Sequence, residues 1–144
     1  MKDKLNPFHL AIPVSNLEES VAYYRDTLGL REGRSSNKWA DFNFFGHQLV
    51  CHVSDCINEQ VTNPVDGEEV PIPHFGVVLS IEEFEEFLLR INDKNIDFII
   101  KPTIRFKGEI GEQRTMFFKD PSGNAIEIKA FKDMDNLFLS LIHI

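Results

Sequence analysis

Hydrophobic and polar positions run through the same order twice along this chain. The first round opens with "PFHLAIPV", residues 7–14, where Phe8, Leu10 and Ile12 make a greasy face and His9, Ala11 and Pro13 make the other. The second opens with "PHFGVVLS", residues 73–80, where Phe75, Val77 and Leu79 alternate with His74, Gly76 and Val78. A period of two predicts a strand in each place. Each strand leads into helical spacing: Leu17, Val21, Tyr24 and Leu28 form one apolar stripe, and Phe84, Phe87, Leu88 and Ile91 form another. Ser15-x-x-Glu18 and Ser80-x-x-Glu83 read as capping boxes at the helix starts, with Gly29 and Asn95 as the stops.

Three strand-like segments follow each helix. In the first half they are "LREGRSS", "KWADFNFF" and "HQLVCHVS", with Gly46 in the last turn. In the second they are "DFIIKPTIRF", "EQRTMFFKD" and "NAIEIKAF", the last two joined by the turn sequence "DPSG". The order β-α-β-β-β therefore occurs twice, which predicts an α+β protein built from two tandem modules. Module 1 covers about residues 5–56 and module 2 about 73–133, leaving a C-terminal tail at 134–144. Residues 54–72 carry Pro, Gly, Asn and acids without a clear period and read as a connecting loop.

At 144 residues the chain has the length of one ordinary domain, 1–144, with a single core. Its net charge of -8 repels phosphate backbones and anionic membranes, which leaves a small-molecule substrate as the expected partner, without nucleic acid or membrane. "MKDKLNPF" lacks the apolar core of a secretory signal, so the expected compartment is cytoplasmic. Cys51 and Cys56 are too few for a disulfide scaffold or a structural zinc site.

The unusual strand residues carry the chemistry. One histidine in a strand is most simply a hydrogen-bonded wall residue, and one strand carboxylate is most simply solvated. Two histidines at matching places in a repeat, joined by Glu127 on the last strand, are a different matter. Glu127 shares a face with Ala125 and Lys129, opposite Ile126 and Ile128. His9, His74 and Glu127 together form a 2-His-1-carboxylate set, a pattern suited to a divalent ion with open coordination positions.

The opening "HLAIPV", the helix "LEESVAYYRDTLGL", the strand "PHFGVVL" and above all "FFKDPSGNAIEIK" resemble the vicinal oxygen chelate superfamily, which holds glyoxalase I, extradiol dioxygenases, fosfomycin-resistance enzymes and bleomycin-binding proteins. The resemblance spans about residues 5–133. It implies paired modules whose mixed sheets curve around a metal cavity, with His9, His74 and Glu127 at the ligand positions. It also implies an enzyme whose substrate chelates the metal through adjacent oxygens. Glyoxalase I adds a fourth ligand at a place where this chain has Val50, whose face-mates Gln48 and His52 are each two residues away.

Three protein ligands leave room for a chelating substrate and O₂, so an iron(II)-dependent dioxygenase is the leading expectation, with Mn, Ni or Zn as other metals. A glyoxalase-like isomerase or lyase is the runner-up, and a metal-free ligand-sequestering protein is a third reading. His52 is the acid/base candidate, and Arg114 is the candidate clamp for a substrate carboxylate. His47 is expected to be exposed in a turn, and Trp39 is a candidate cavity wall. A homodimer is expected from the habit of the superfamily and from the apolar tail "LFLSLIHI".

Overall fold

The alternation read from the sequence turns into burial in each half. In the computed structural model, which describes residues 4–57, 60–65 and 67–138, the chain divides into two compact units, residues 1–59 and 60–144.

In the first unit β1 (His9–Val14) is followed by α1 (Leu17–Val21), then by β2 (Arg31–Ser35), β3 (Trp39–Phe44) and β4 (His47–Val53). The sheet order is β1-β4-β3-β2, with β1 and β4 parallel and the other pairs antiparallel. Ile12 and Val14 of β1 are buried, whereas Phe8 lies just before the strand and is largely exposed, so the greasy face runs from Leu10 to Val14 instead of starting at Phe8. Tyr24 and Leu28 are fully buried, and the Tyr24 ring meets Phe42 of β3 at 5.5 Å between centroids. Ala40, Phe42 and Phe44 thus face the helix, which leaves Trp39, Asp41 and Asn43 on the opposite face.

The first helix differs from expectation at its start and ends at Gly29 as expected. Its cap is Asn16, whose side-chain oxygen accepts from the Glu19 amide at 2.8 Å, and not Ser15. Asparagine can bond the N3 amide as well as serine, and here the residue beside Ser15 takes that position. After Val21 the helix widens into a π-helical stretch, Ala22–Thr27, closed by the Leu28 amide bonding the Tyr23 carbonyl; Gly29, with φ of 74°, ends it.

The second unit begins with a finding the sequence did not reveal. Residues expected as a loop form a two-stranded antiparallel hairpin, β5 (Val61–Val65) and β6 (Glu68–Ile72). Then come β7 (His74–Leu79), α2 (Ile81–Ile91), β8 (Asp97–Arg105), β9 (Gln113–Lys119) and β10 (Ala125–Phe131), in a mixed sheet of order β7-β10-β9-β8. The expected capping box is present at Ser80 and Glu83, with both reciprocal hydrogen bonds made. The helix stops at Asn92, three positions before Asn95. Phe84, Phe87 and Ile91 bury one side of α2, and the Phe87 ring stacks on Phe118 of β9. On the other side of the sheet Val70 of the hairpin packs against Ile100 and Phe117. The turn Asp120–Gly123 is held by Asp120, whose Oδ1 accepts from the amides of Ser122 and Asn124.

One close approach fixes the pairing of β7 with β10. Gly76 lies opposite Glu127, and a Cβ added at Gly76 would overlap the Glu127 carbonyl. Only glycine lets the two strands meet there. Gly76→Ala is expected to lower unfolding free energy by about 3 kcal/mol, while Ser80→Ala, which loses only the cap of α2, costs about 1 kcal/mol. Denaturant titration of both variants checks the order; equal losses would contradict it.

Candidate metal centre

In the second unit the parallel register of β7 and β10 puts His74 across from Ala125 and Gly76 across from Glu127. Side chains on one face of neighbouring strands then converge, and His74 Nε2 lies 3.6 Å from Glu127 Oε1. The far atom of each group is tied. His74 Nδ1 is 2.7 Å from the Pro71 carbonyl of β6. A carbonyl only accepts, so Nδ1 carries the hydrogen, and Nε2 of the neutral ring keeps its lone pair. The Thr115 hydroxyl of β9 donates to Glu127 Oε2 at 2.7 Å. The edge of the Phe117 ring supports the imidazole, with the ring centroids 4.9 Å apart. The Glu127 side chain is 12% exposed and that of His74 31%, so the pair is sheltered but open on one side. Lys129, two residues further along the same face, places its Nζ 3.7 Å from Glu127 Oε1.

In the first unit His9 sits on the exposed side of β1, opposite Gln48 of β4. Its Nδ1 lies 2.7 Å from Gln48 Oε1, and Gln48 Nε2 donates to Asp41 Oδ2 at 3.1 Å. His9 is thereby presented in the same form as His74, with Nδ1 tied back and Nε2 left over. The two registers also locate the first-unit counterpart of Glu127. Two residues beyond His9, Ala11 pairs with Val50; two beyond His74, Gly76 pairs with Glu127. Val50 is therefore the first-unit counterpart of Glu127, and it is buried.

These features fit a divalent ion. Imidazole nitrogens and a carboxylate oxygen, each aimed by a hydrogen bond on its other atom, are how proteins present metal ligands. Among the described residues no three His, Cys, Asp or Glu side chains stand together as a metal-holding group; the second unit supplies a pair and the first a single histidine.

The remaining candidates fall in other places. Arg114 is adjacent in sequence to Thr115 and so points to the opposite face of β9, where its guanidinium pairs with Glu85 of α2 and not with the Glu127 face; this corrects the expectation of a clamp for a substrate carboxylate. His47 is half-buried, not exposed, and its Nδ1 accepts from the Phe8 amide at 2.8 Å, which pins the entry to β1. His52 is exposed on β4, opposite Trp39 and Pro13. Trp39 lies under the guanidinium of Arg34, 5.6 Å from the ring centroid. Cys51 is buried and Cys56 is exposed, and no disulfide joins them. Residues 139–144 of the apolar tail lie outside the described residues. No helix among the described residues is long and apolar enough to cross a membrane.

Thr115, Lys129 and the Pro71 carbonyl were not singled out from sequence. Thr115 could have been found, because a polar residue alternating with Phe117 on a strand beside the Glu127 strand has few roles other than bonding to it. The Pro71 carbonyl could not, since a main-chain oxygen carries no side-chain signal.

Comparison with known proteins agrees with the fold. The family model described as the glyoxalase/bleomycin resistance protein/dioxygenase superfamily matches residues 6–128. The metallothiol transferase FosB of Staphylococcus saprophyticus is 25% identical over 129 residues, covering 90% of this chain and 79% of that protein. A crystal structure of a glyoxalase/bleomycin resistance protein/dioxygenase from Alicyclobacillus acidocaldarius superposes with a TM-score of 0.78 at 33% identity, covering 96% of this chain and all of that one. The fosfomycin resistance protein FosX of Listeria monocytogenes shares the fold at a TM-score of 0.63 and 20% identity, over 94% of this chain and 98% of its own. With the family model spanning most of its length, the chain belongs to the glyoxalase/bleomycin resistance protein/dioxygenase superfamily.

Proposed function

We propose that this protein is a metal-dependent transferase that adds a thiol to a small electrophile bearing adjacent oxygens, with His9, His74 and Glu127 as the ligands of one divalent ion. The observation that carries the metal reading is the His74–Glu127 pair: Nε2 and Oε1 face each other at 3.6 Å while Pro71 and Thr115 occupy their other atoms. His9 joins them because Gln48 presents it in the same form. The choice of thiol transfer is supported by the metallothiol transferases found as relatives at 25% and 24% identity over 90% of this chain.

A divalent ion bound by these groups would act as a Lewis acid on the substrate's oxygens. The protein's own contribution is orientation and charge. Glu127 and the two imidazoles would hold the ion, and Val50, which is buried and cannot bind a metal, would add no fourth ligand. Lys129 is the cation on the Glu127 face, placed to meet an anionic group such as a phosphonate, the role first expected of Arg114. In transfer to an epoxide the thiolate forms the new C–S bond as the C–O bond breaks, and the oxygen leaves with the bonding pair and takes up a proton.

Iron(II) dioxygenase chemistry, the leading expectation from the ligand set, gains no support from the metallothiol transferase relatives, and we propose group transfer in its place. A lyase of the glyoxalase I kind would need Gln48, His52 or water to complete the metal shell, because Val50 cannot. The homodimer and the cytoplasmic setting are carried forward as part of this proposal.

The test is Mn(II) titration followed by electron paramagnetic resonance, with thiol-addition assays on fosfomycin and oxygen-uptake assays on catechols run in parallel. His74→Ala and Glu127→Ala should each weaken Mn(II) binding by more than about 100-fold, beyond what loss of an outer hydrogen bond does, whereas Thr115→Val should cost about 10-fold. Unchanged binding in Glu127→Ala would remove the metal reading. Oxygen uptake without thiol addition would remove the transferase reading alone. Lys129→Met should raise KM for an anionic substrate and leave Mn(II) affinity no weaker; an unchanged KM would rule out its substrate role.

A further inference from the structure

We propose that Asp41 is a positioning residue for His9, acting through Gln48 to hold the imidazole with its hydrogen on Nδ1 and its lone pair on Nε2. The inference rests on the reading of His9 as a ligand, but the device itself is a property of the first unit.

Asp41 lies in the middle of β3, opposite Val50, and is only 9% exposed. Its Oδ2 accepts the Gln48 amide, while Oδ1 is buried and has no hydrogen-bond partner among the described residues. A buried carboxylate with one oxygen unsatisfied is costly, and an apolar residue would suit the wall of a sheet better. What the carboxylate supplies is direction. It can only accept, so the amide must turn its NH₂ end toward Asp41 and its oxygen toward His9. That oxygen, 2.7 Å from Nδ1, can also only accept, so Nδ1 must carry the hydrogen. Each step removes one of two choices, and the outcome is a single ring tautomer.

The second unit reaches the same end without side chains, because the Pro71 carbonyl faces His74 Nδ1 directly. The matching position in the first unit has no such carbonyl: Gln48 stands there, and a carboxamide has no preferred end of its own. Asp41 provides that preference. An asparagine at position 41 would have the same shape but could offer either end to Gln48, and the constraint would be lost.

The experiment uses the full chain, metal-free, with ¹⁵N in the histidine rings, at about pH 8, where an ordinary imidazole is neutral. Long-range proton–nitrogen correlation spectra read which ring nitrogen of His9 is protonated. Wild type should show Nδ1–H alone. Asp41→Asn should show a mixture of tautomers, with backbone spectra and melting temperature close to wild type and Mn(II) affinity lower by about 10-fold or more. Gln48→Met, which removes both amide ends, should lose the preference as well and guards against an unfolded Asp41 variant. An unchanged His9 tautomer in both variants would overturn the proposal. If the tautomer changes but His9→Ala leaves Mn(II) binding intact, the relay stands and the ligand reading of His9 falls.

Discussion

The contact on which the second unit's chemistry depends is the approach of β7 to β10 at Gly76. Two parallel strands normally hold their side chains apart by the width of the ladder. Here the absence of a side chain at Gly76 lets the Glu127 backbone come within overlap distance of where a Cβ would be. The pairing fixed at that point carries His74, two residues earlier, to the same face as the Glu127 carboxylate. Everything else tightens this geometry. Thr115 and Pro71 each take one atom of the pair, and Phe117 backs the ring from below while joining the cluster that anchors the hairpin.

The duplicated architecture shows how one design can diverge by single residues. His9 and His74 occupy equivalent register positions, as do Ala11 and Gly76, and Val50 and Glu127. The second unit has a carboxylate there and a hairpin whose main chain orients its histidine. The first has a buried valine in that place and orients its histidine through a glutamine and an aspartate. Both routes tie back Nδ1 and leave the lone pair on Nε2.

Much of this was legible in the sequence, for physical reasons that also explain the misses. Strands β1, β3, β4, β9 and β10 announce themselves because one face of each packs on a helix and must be apolar. The box at Ser80 is readable because capping chemistry is local. The hairpin Val61–Ile72 was read as a loop because most of its residues are exposed, including two of its valines, and its period is broken by Pro64 and Pro71. Asn16 displaced Ser15 because adjacent residues compete for one cap, and composition does not rank them. The side of β9 on which Arg114 lies is not legible from its neighbours, whereas the bond from Thr115 to Glu127 fixes the alternation at once. Asp41 carries no legible role in the sequence; its meaning lies in a chain of hydrogen bonds that only coordinates reveal.

The proposed function requires that two histidine rings, one from each repeat, bind the same ion through Nε2. Pulsed electron paramagnetic resonance of the Mn(II)-loaded chain, with ¹⁵N confined to the histidine rings, measures this directly. The account predicts couplings from two directly bound imidazole nitrogens, falling to one in His9→Ala and to one in His74→Ala. A spectrum with no histidine coupling, or one that either substitution leaves unchanged, would contradict it.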